Sequence, residues 1–123
     1  MTPTSDKPLI PITDRTFHFD VRIVQLCREM TRTSVDRVLA TQLLKAGTSI
    51  GANVEEAQVA YSRPEFACKS AIALKEARET NYWLRLVEAT DEELAPRLGP
   101  LVQESREIRD ILGAITSKAR KPK

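Results

Sequence analysis

The sequence predicts an all-α domain with the architecture of an antiparallel, up-down-up-down four-helix bundle. Apolar residues recur at intervals of three and four in four successive segments, and no segment shows the period of two that is typical of a half-buried strand. Glycine, at 4 residues, and aromatic side chains, at 5%, are scarcer than all-β domains usually require. The connections span only a few residues, so consecutive helices must run antiparallel.

Each apolar stripe places its members on one face of a predicted helix. Prolines near the start of the sequence disfavour helix there, so we expect an extended, disordered arm over 1–14. The bundle is expected over 15–119, and a basic tail over 120–123. The four stripes run from Phe19 to Met30, from Val35 to Tyr61, from Phe66 to Val87 and from Leu94 to Ala119.

Capping residues separate the stripes. Thr33 and Ser34 can cap the second helix, and Ser62 with Glu65 forms a capping box around a proline in the first turn of the third. Asp91, followed by two glutamates, places negative charge where the dipole of the fourth helix favours it.

Pro96 and Pro100 leave two alternatives for the start of the fourth helix. Proline lacks the N–H that an interior helical residue donates. Either the fourth helix begins near Pro96 or Pro100, or its first turns are kinked.

The stretch QLLKAGTSIGANVEEA, residues 42–57, has two glycines among small polar residues, as a phosphate-binding loop does. The apolar stripe keeps its phase across it, and neither a preceding strand nor a Gly-Lys-Ser/Thr end is present, so we predict a continuous helix. Gly47 and Gly51 each cost about 1 kcal/mol relative to alanine. We expect them to pack closely against small residues of the third helix, among them Ala73 and Ala77.

Residues that could support catalysis or metal binding are not grouped in the sequence. Cys27 and Cys68 are far apart, and the single histidine, His18, has no Glu-x-x-His context. We therefore expect no enzymatic activity, cofactor, metal or small-molecule substrate. We expect His18 to be a surface or capping residue and both thiols to be buried and free. No signal peptide or membrane span is evident, which predicts a cytoplasmic protein without membrane contact.

A further strip on the third helix predicts self-association. Ile72, Glu76, Glu79, Trp83 and Leu86 lie about 100° from the main stripe on a helical wheel. A lone bundle needs only one buried stripe, so this strip is a candidate subunit interface with the glutamates at its rim. The alternative is that the indole only covers the edge of its own core.

The last residues are basic, although the net charge of the sequence is only +2. Lys118, Arg120, Lys121 and Lys123 have no acidic residue among them and are candidate contacts to nucleic acid. The alternative is a solvated terminus.

Two stretches carry a resemblance to a known family. QLLKAGTSIGANVEEA at 42–57 and KEARETNYWL at 75–84 resemble the small bacterial four-helix bundle proteins, some of which are encoded by intervening sequences inside large-subunit ribosomal RNA genes. The resemblance covers about residues 17–118. It implies an antiparallel bundle that assembles into a ring-like homopentamer, in a family whose biochemical function is essentially unassigned.

A more distant similarity, to the accessory protein of diversity-generating retroelements, implies a partnership with nucleic acid and a reverse transcriptase. This chain is less basic than that accessory protein, and Pro96, Gly99 and Pro100 interrupt a stretch that is normally acidic and continuous. Two hypotheses follow. The protein is a self-assembling scaffold or accessory for a macromolecular partner, or it is an accessory that binds ribosomal or retroelement RNA.

Overall fold

The computed structural model of the protein describes residues 10–122 and forms four α-helices joined by short turns. No strand occurs in this part of the chain, so the prediction of an all-α four-helix bundle is confirmed. Residues 1–9 of the predicted arm and Lys123 of the predicted tail lie outside the described residues. The helices are α1, Ile12–Glu29, α2, Ser34–Gln58, α3, Arg63–Thr90, and α4, Ala95–Arg120.

Each helix packs against its neighbours in sequence. α3 lies between α2 and α4 and contacts both along its length, whereas α1 contacts α2 extensively and α4 over a shorter stretch. The predicted stripes supply the core, but the two ends of the second stripe do not reach it, because Val35 lies in the first turn of α2 and Tyr61 in the turn after it. Core side chains no more than 1% exposed include Phe19, Ile23, Leu43, Ile50, Leu84, Ile108 and Leu112.

The helix starts use the predicted caps. The side chain of Thr33 accepts the backbone N–H of Asp36, and that of Ser62 accepts the N–H of Glu65. Asp91 accepts two backbone N–H groups in the turn that leads to α4. These bonds satisfy donors that the first turn of a helix leaves without intrahelical partners.

The first helix begins earlier than predicted. α1 starts at Ile12, inside the expected arm, and Pro11 occupies the position before it. A proline fits there because a residue at the start of a helix has no intrahelical use for its N–H.

The fourth helix begins near the first of its two prolines. α4 starts at Ala95, with Pro96 in its first turn, and it continues through Pro100. Pro100 cannot donate to the carbonyl of Pro96, but both residues are exposed and water can reach that carbonyl. The interruption by which this chain departs from the family pattern is therefore local and does not break the helix.

Candidate interaction surfaces

The two glycines of α2 face α1, and the expectation that they face α3 was wrong. Gly47 and Gly51 are both buried. A Cβ at Gly47 would lie 2.8 Å from Cγ2 of Ile23, and a Cβ at Gly51 would overlap the carboxylate of Asp20. The absence of side chains at these positions therefore allows α1, not α3, to approach α2 closely.

The predicted small residues of α3 lie in the core. Ala73 and Ala77 are 0% exposed. The polar residues beside the glycines bond within their own helix, since Ser49 donates to the carbonyl of Lys45 and Asn53 to that of Ser49, each at 2.8 Å. Both polar side chains thus bond within α2, in agreement with a packing role for this stretch.

Asp20 lies on the seam between α1 and α2. Its Oδ2 accepts the backbone N–H of Gly51 at 3.1 Å, and its Oδ1 is buried without a hydrogen-bond partner among the residues that the structure describes. Burial raises the pKa of this carboxyl to about 7, although the bond from Gly51 acts in the opposite direction. Asp20 follows Phe19 and lies four residues after the buried Thr16, so its position beside the core stripe was the available sequence signal.

A groove of about 540 Å³, which was not predicted from the sequence, runs along this seam. Phe17 and Val21 are 62% and 38% exposed, and Val24 continues their spacing of four and three residues. This spacing, next to the main stripe of α1, was the signal that could have revealed it. We call this surface the α1–α2 face, and it comprises Phe17, Asp20, Val21, Val24, Gln25, Arg28, Ala52 and Glu55.

The strip predicted for self-association is partly exposed on α3. Ile72 is 36% exposed, whereas Trp83 and the other members are half-buried. Trp83 packs against the core, and its Nε1 donates to Oε2 of Glu79 at 3.1 Å. The indole therefore covers part of its own core and also contributes to the surface.

Two valines of α2 extend this strip. Lys69 of α3 pairs with Glu56 of α2 at 3.3 Å, which identifies the side of α2 that faces α3. Val38 precedes Glu56 by about five helical turns and lies on the same side, as does Val35 one turn earlier. They are 61% and 64% exposed. We call this surface the α2–α3 face, and it comprises Val35, Val38, Ile72, Glu76, Glu79, Trp83 and Leu86.

The basic C-terminal end adjoins the start of α3. The guanidinium of Arg63 donates to the carbonyls of Ala119 and Lys118 at 2.9 and 3.0 Å, so it satisfies two acceptors at the end of α4. The predicted nucleic-acid candidates that the structure describes are all exposed: Lys118, Arg120 and Lys121.

The histidine and the cysteines lie apart from each other. His18 is exposed, and Cys27 is buried, which raises the pKa of its thiol to about 11. The expectation that both thiols are buried was wrong for Cys68, which is exposed on α3. Within residues 10–122 no three His, Cys, Asp or Glu side chains are placed to hold a metal ion. None of the helices in this range combines the length and apolar character that a membrane span requires.

Comparison with known families identifies the fold's relatives. Residues 10–114 match the family model described as 23S rRNA-intervening sequence protein. The chain belongs to this family. The family resemblance seen in the sequence is thereby confirmed.

One solved structure is similar to this chain in both fold and sequence. It is a protein with unknown function from the S23 ribosomal protein family of Bacteroides thetaiotaomicron VPI-5482, with 40% sequence identity and a TM-score of 0.80. The match covers 86% of this chain and 98% of that chain. No curated protein matches the chain significantly. Neither the matched family nor the solved structure is described as an enzyme.

Proposed function

We propose that the protein is a non-enzymatic subunit of a ring-like homo-oligomer, a homopentamer, that acts as a scaffold or accessory for a macromolecular partner. The observation that carries this proposal is the placement of two partly exposed apolar surfaces. The α1–α2 face and the α2–α3 face lie on adjacent sides of the bundle and share α2.

Both faces have features of protein interfaces. Exposed apolar side chains such as Phe17 and Val38 gain by leaving water, and Trp83 is of the type enriched at interface hot spots. Charged residues border both faces. Glu76 and Glu79 border one, and the other is lined by Glu55 and by Arg28, which can pair with a glutamate of the next copy. Contact between the α2–α3 face of one copy and the α1–α2 face of the next would bring these surfaces together.

Association through two different faces is heterologous, so it produces a closed ring or an open filament. Adjacent faces of a four-helix bundle point about 90° apart. A ring of five requires about 108° between its two contact directions and a ring of four about 90°, whereas a straight filament requires opposite faces. Adjacent faces therefore support a small closed ring, in which α2 lies towards the axis and α4 towards the outside. The choice of five subunits rather than four rests on the family resemblance.

The mass of the protein in solution, measured by light scattering, tests this proposal. We expect the wild type to form one oligomeric species. Val38→Glu and Phe17→Glu each add a charge to one face without altering the buried core, so each should give a monomer with unchanged helical circular dichroism. Ala114→Glu is the matched control, because Ala114 is exposed on α4, which contributes to neither face.

Mixing the two monomeric variants provides a sharper test. The Val38→Glu copy keeps its α1–α2 face and the Phe17→Glu copy keeps its α2–α3 face, so the mixture should form a dimer and nothing larger. A wild-type protein that is monomeric at high micromolar concentration would refute the proposal. Failure of the mixed variants to pair would refute the heterologous contact.

A further inference from the structure

The groove between α3 and α4 concentrates positive charge. It contains two cavities of about 740 and 530 Å³, with four cationic side chains lining the first and three lining the second. Asp110 is the one carboxylate among the lining residues of the two cavities. We call this surface the arginine groove, and its cations are Arg63, Lys75, Arg78, Arg85, Arg109, Arg120 and Lys121.

This charge is segregated from the rest of the protein. The groove carries more positive charge than the net +2 of the whole sequence, so the remaining charged residues sum to a net negative value. Some arginines elsewhere bond to carboxylates of other helices, as Arg15 does to Glu104 at 2.7 Å. In the groove, Nε of Arg109 lies 3.2 Å from the carboxylate of its sequence neighbour Asp110. Within residues 10–122 no carboxylate lies within ion-pair distance of Arg78 or Arg85, which leaves both available to an anionic ligand.

A buried hydrogen-bond chain orients one of these arginines. Ser105 donates to the carbonyl of Val102 at 2.6 Å, and Asn81 donates from Nδ2 to Oγ of Ser105 at 2.9 Å. The amide oxygen of Asn81 then accepts Nε–H of Arg85 at 2.9 Å. Since Asn81 and Ser105 are 4% and 0% exposed, the core holds the guanidinium of Arg85 in place beside the groove.

An exposed aromatic ring stands beside the oriented arginine. Tyr82 is 49% exposed, and Cζ of Arg85 lies 5.9 Å from the centre of its ring. The Trp83 ring packs edge-on against Tyr82 with 5.1 Å between centroids, which restricts the movement of the phenol ring. Arginines that neutralise phosphates, combined with an aromatic platform for a base, are the features by which proteins bind single strands.

From these features we infer that the arginine groove binds single-stranded nucleic acid, with Arg78, Arg85 and Arg109 on the phosphates and Tyr82 stacked on a base. An acidic protein segment would satisfy the cations but would leave the aromatic platform without a role. A duplex keeps its bases stacked inside, where Tyr82 cannot reach them. The groove shares Ile72 with the α2–α3 face. The proposed ligand-binding side chains, Arg78, Arg85, Arg109 and Tyr82, belong to neither face assigned to self-association, so one subunit supplies all of them.

Fluorescence anisotropy with a labelled, single-stranded oligouridylate of about 20 nucleotides tests this inference. Arg78→Gln with Arg109→Gln should weaken binding at least about tenfold and make the slope of log K against log salt shallower by about 1.4, because two phosphate contacts are lost. The matched control is Arg22→Gln with Arg37→Gln, which removes the same charge from exposed positions of α1 and α2. The single variant Arg78→Gln serves if the double variant loses helical circular dichroism.

The aromatic contribution is tested separately. Tyr82→Ala should weaken binding about tenfold at unchanged salt slope, whereas Tyr82→Phe should bind as the wild type does, because only the ring face stacks on a base. Single-stranded DNA of matched length distinguishes a general phosphodiester ligand from one that needs the 2′-hydroxyl.

Several results would overturn the inference. These are equal weakening in the control variant, unchanged binding in Arg78→Gln with Arg109→Gln, binding of duplex RNA as tightly as the single strand, and binding of polyglutamate as tightly as RNA. Repeating the assay on the monomeric Val38→Glu variant separates failure of the groove from failure of the ring.

Discussion

The carboxyl of Asp20 makes the stability of the protein depend on pH. Burial raises its pKa from the usual 3.8 to about 7, so between these values the folded chain keeps a proton that the unfolded chain loses. The unfolded state then binds fewer protons than the folded state, and the free energy of unfolding falls as pH rises through this window. Above it, the contribution stays at its lower level.

Asp20→Asn removes this titration. We expect the stability of the variant relative to the wild type to be higher at about pH 8 than at about pH 5, because only the wild type must ionise a buried carboxyl. Urea midpoints of both proteins at the two pH values measure the difference. A difference that stays constant with pH would mean that Asp20 titrates in its usual range.

The prolines of α4 have different costs because they occupy different positions along the helix. Pro96 is in the first turn, where its missing N–H has no acceptor to leave empty, whereas Pro100 is in the interior. Pro100→Ala restores a hydrogen bond to the carbonyl of Pro96 and should raise the free energy of unfolding by about 1–3 kcal/mol. Pro96→Ala, the matched control, should change it by less than about 1 kcal/mol.

Chemical denaturation monitored by circular dichroism measures both variants. A Pro100→Ala protein no more stable than Pro96→Ala would show that the interior proline is accommodated without cost, for instance by water at the freed carbonyl.

The extent and ends of the helices were largely predictable from the sequence. The stripes and the caps at Thr33 and Ser62 are local signals, and the unbroken phase across Gly47 and Gly51 was enough to predict one continuous α2. The start of α1 was predicted too late, because a proline such as Pro11 disfavours helix in the residue before it and is also suited to the position before a helix.

The neighbours of each helix face were not predictable in the same way. Periodicity shows which side of α2 carries the glycines, but a four-helix bundle can turn in either hand, so the same pattern allows α1 or α3 on that side. The arginine groove was hidden for a related reason. Arg78 and Arg109 come together only through the register of α3 against α4, and no local pattern encodes that register.

Of the four pairs of neighbouring helices in the bundle, α1 and α4 have the least extensive contact. These two helices meet over a short stretch, and ion pairs join them at two places, Arg15 with Glu104 and Arg97 with Glu29. The Arg97–Glu29 pair is exposed and contributes little to stability, so the partly buried Arg15–Glu104 pair is the stronger of the two links. α3, by contrast, is packed on both sides. We therefore expect α1 to open before α3.

Hydrogen exchange followed by mass spectrometry measures this order, with the monomeric Val38→Glu variant used so that contacts between subunits do not protect either helix. Amides in the middle of α1 should exchange through an opening of lower free energy than those in the middle of α3. Equal protection of the two helices would indicate that the bundle opens as one cooperative unit.

The hydrogen bonds from Arg63 to the end of α4 mean that the last residues help to hold the start of α3. Truncation before Lys118 would remove both carbonyls to which this guanidinium donates, so the first turn of α3 would be less well held. The same truncation would also remove the lysines. A truncated variant would thus change both the stability of the helix ends and the charge. Lys121→Gln keeps both hydrogen bonds of Arg63 and changes only the charge.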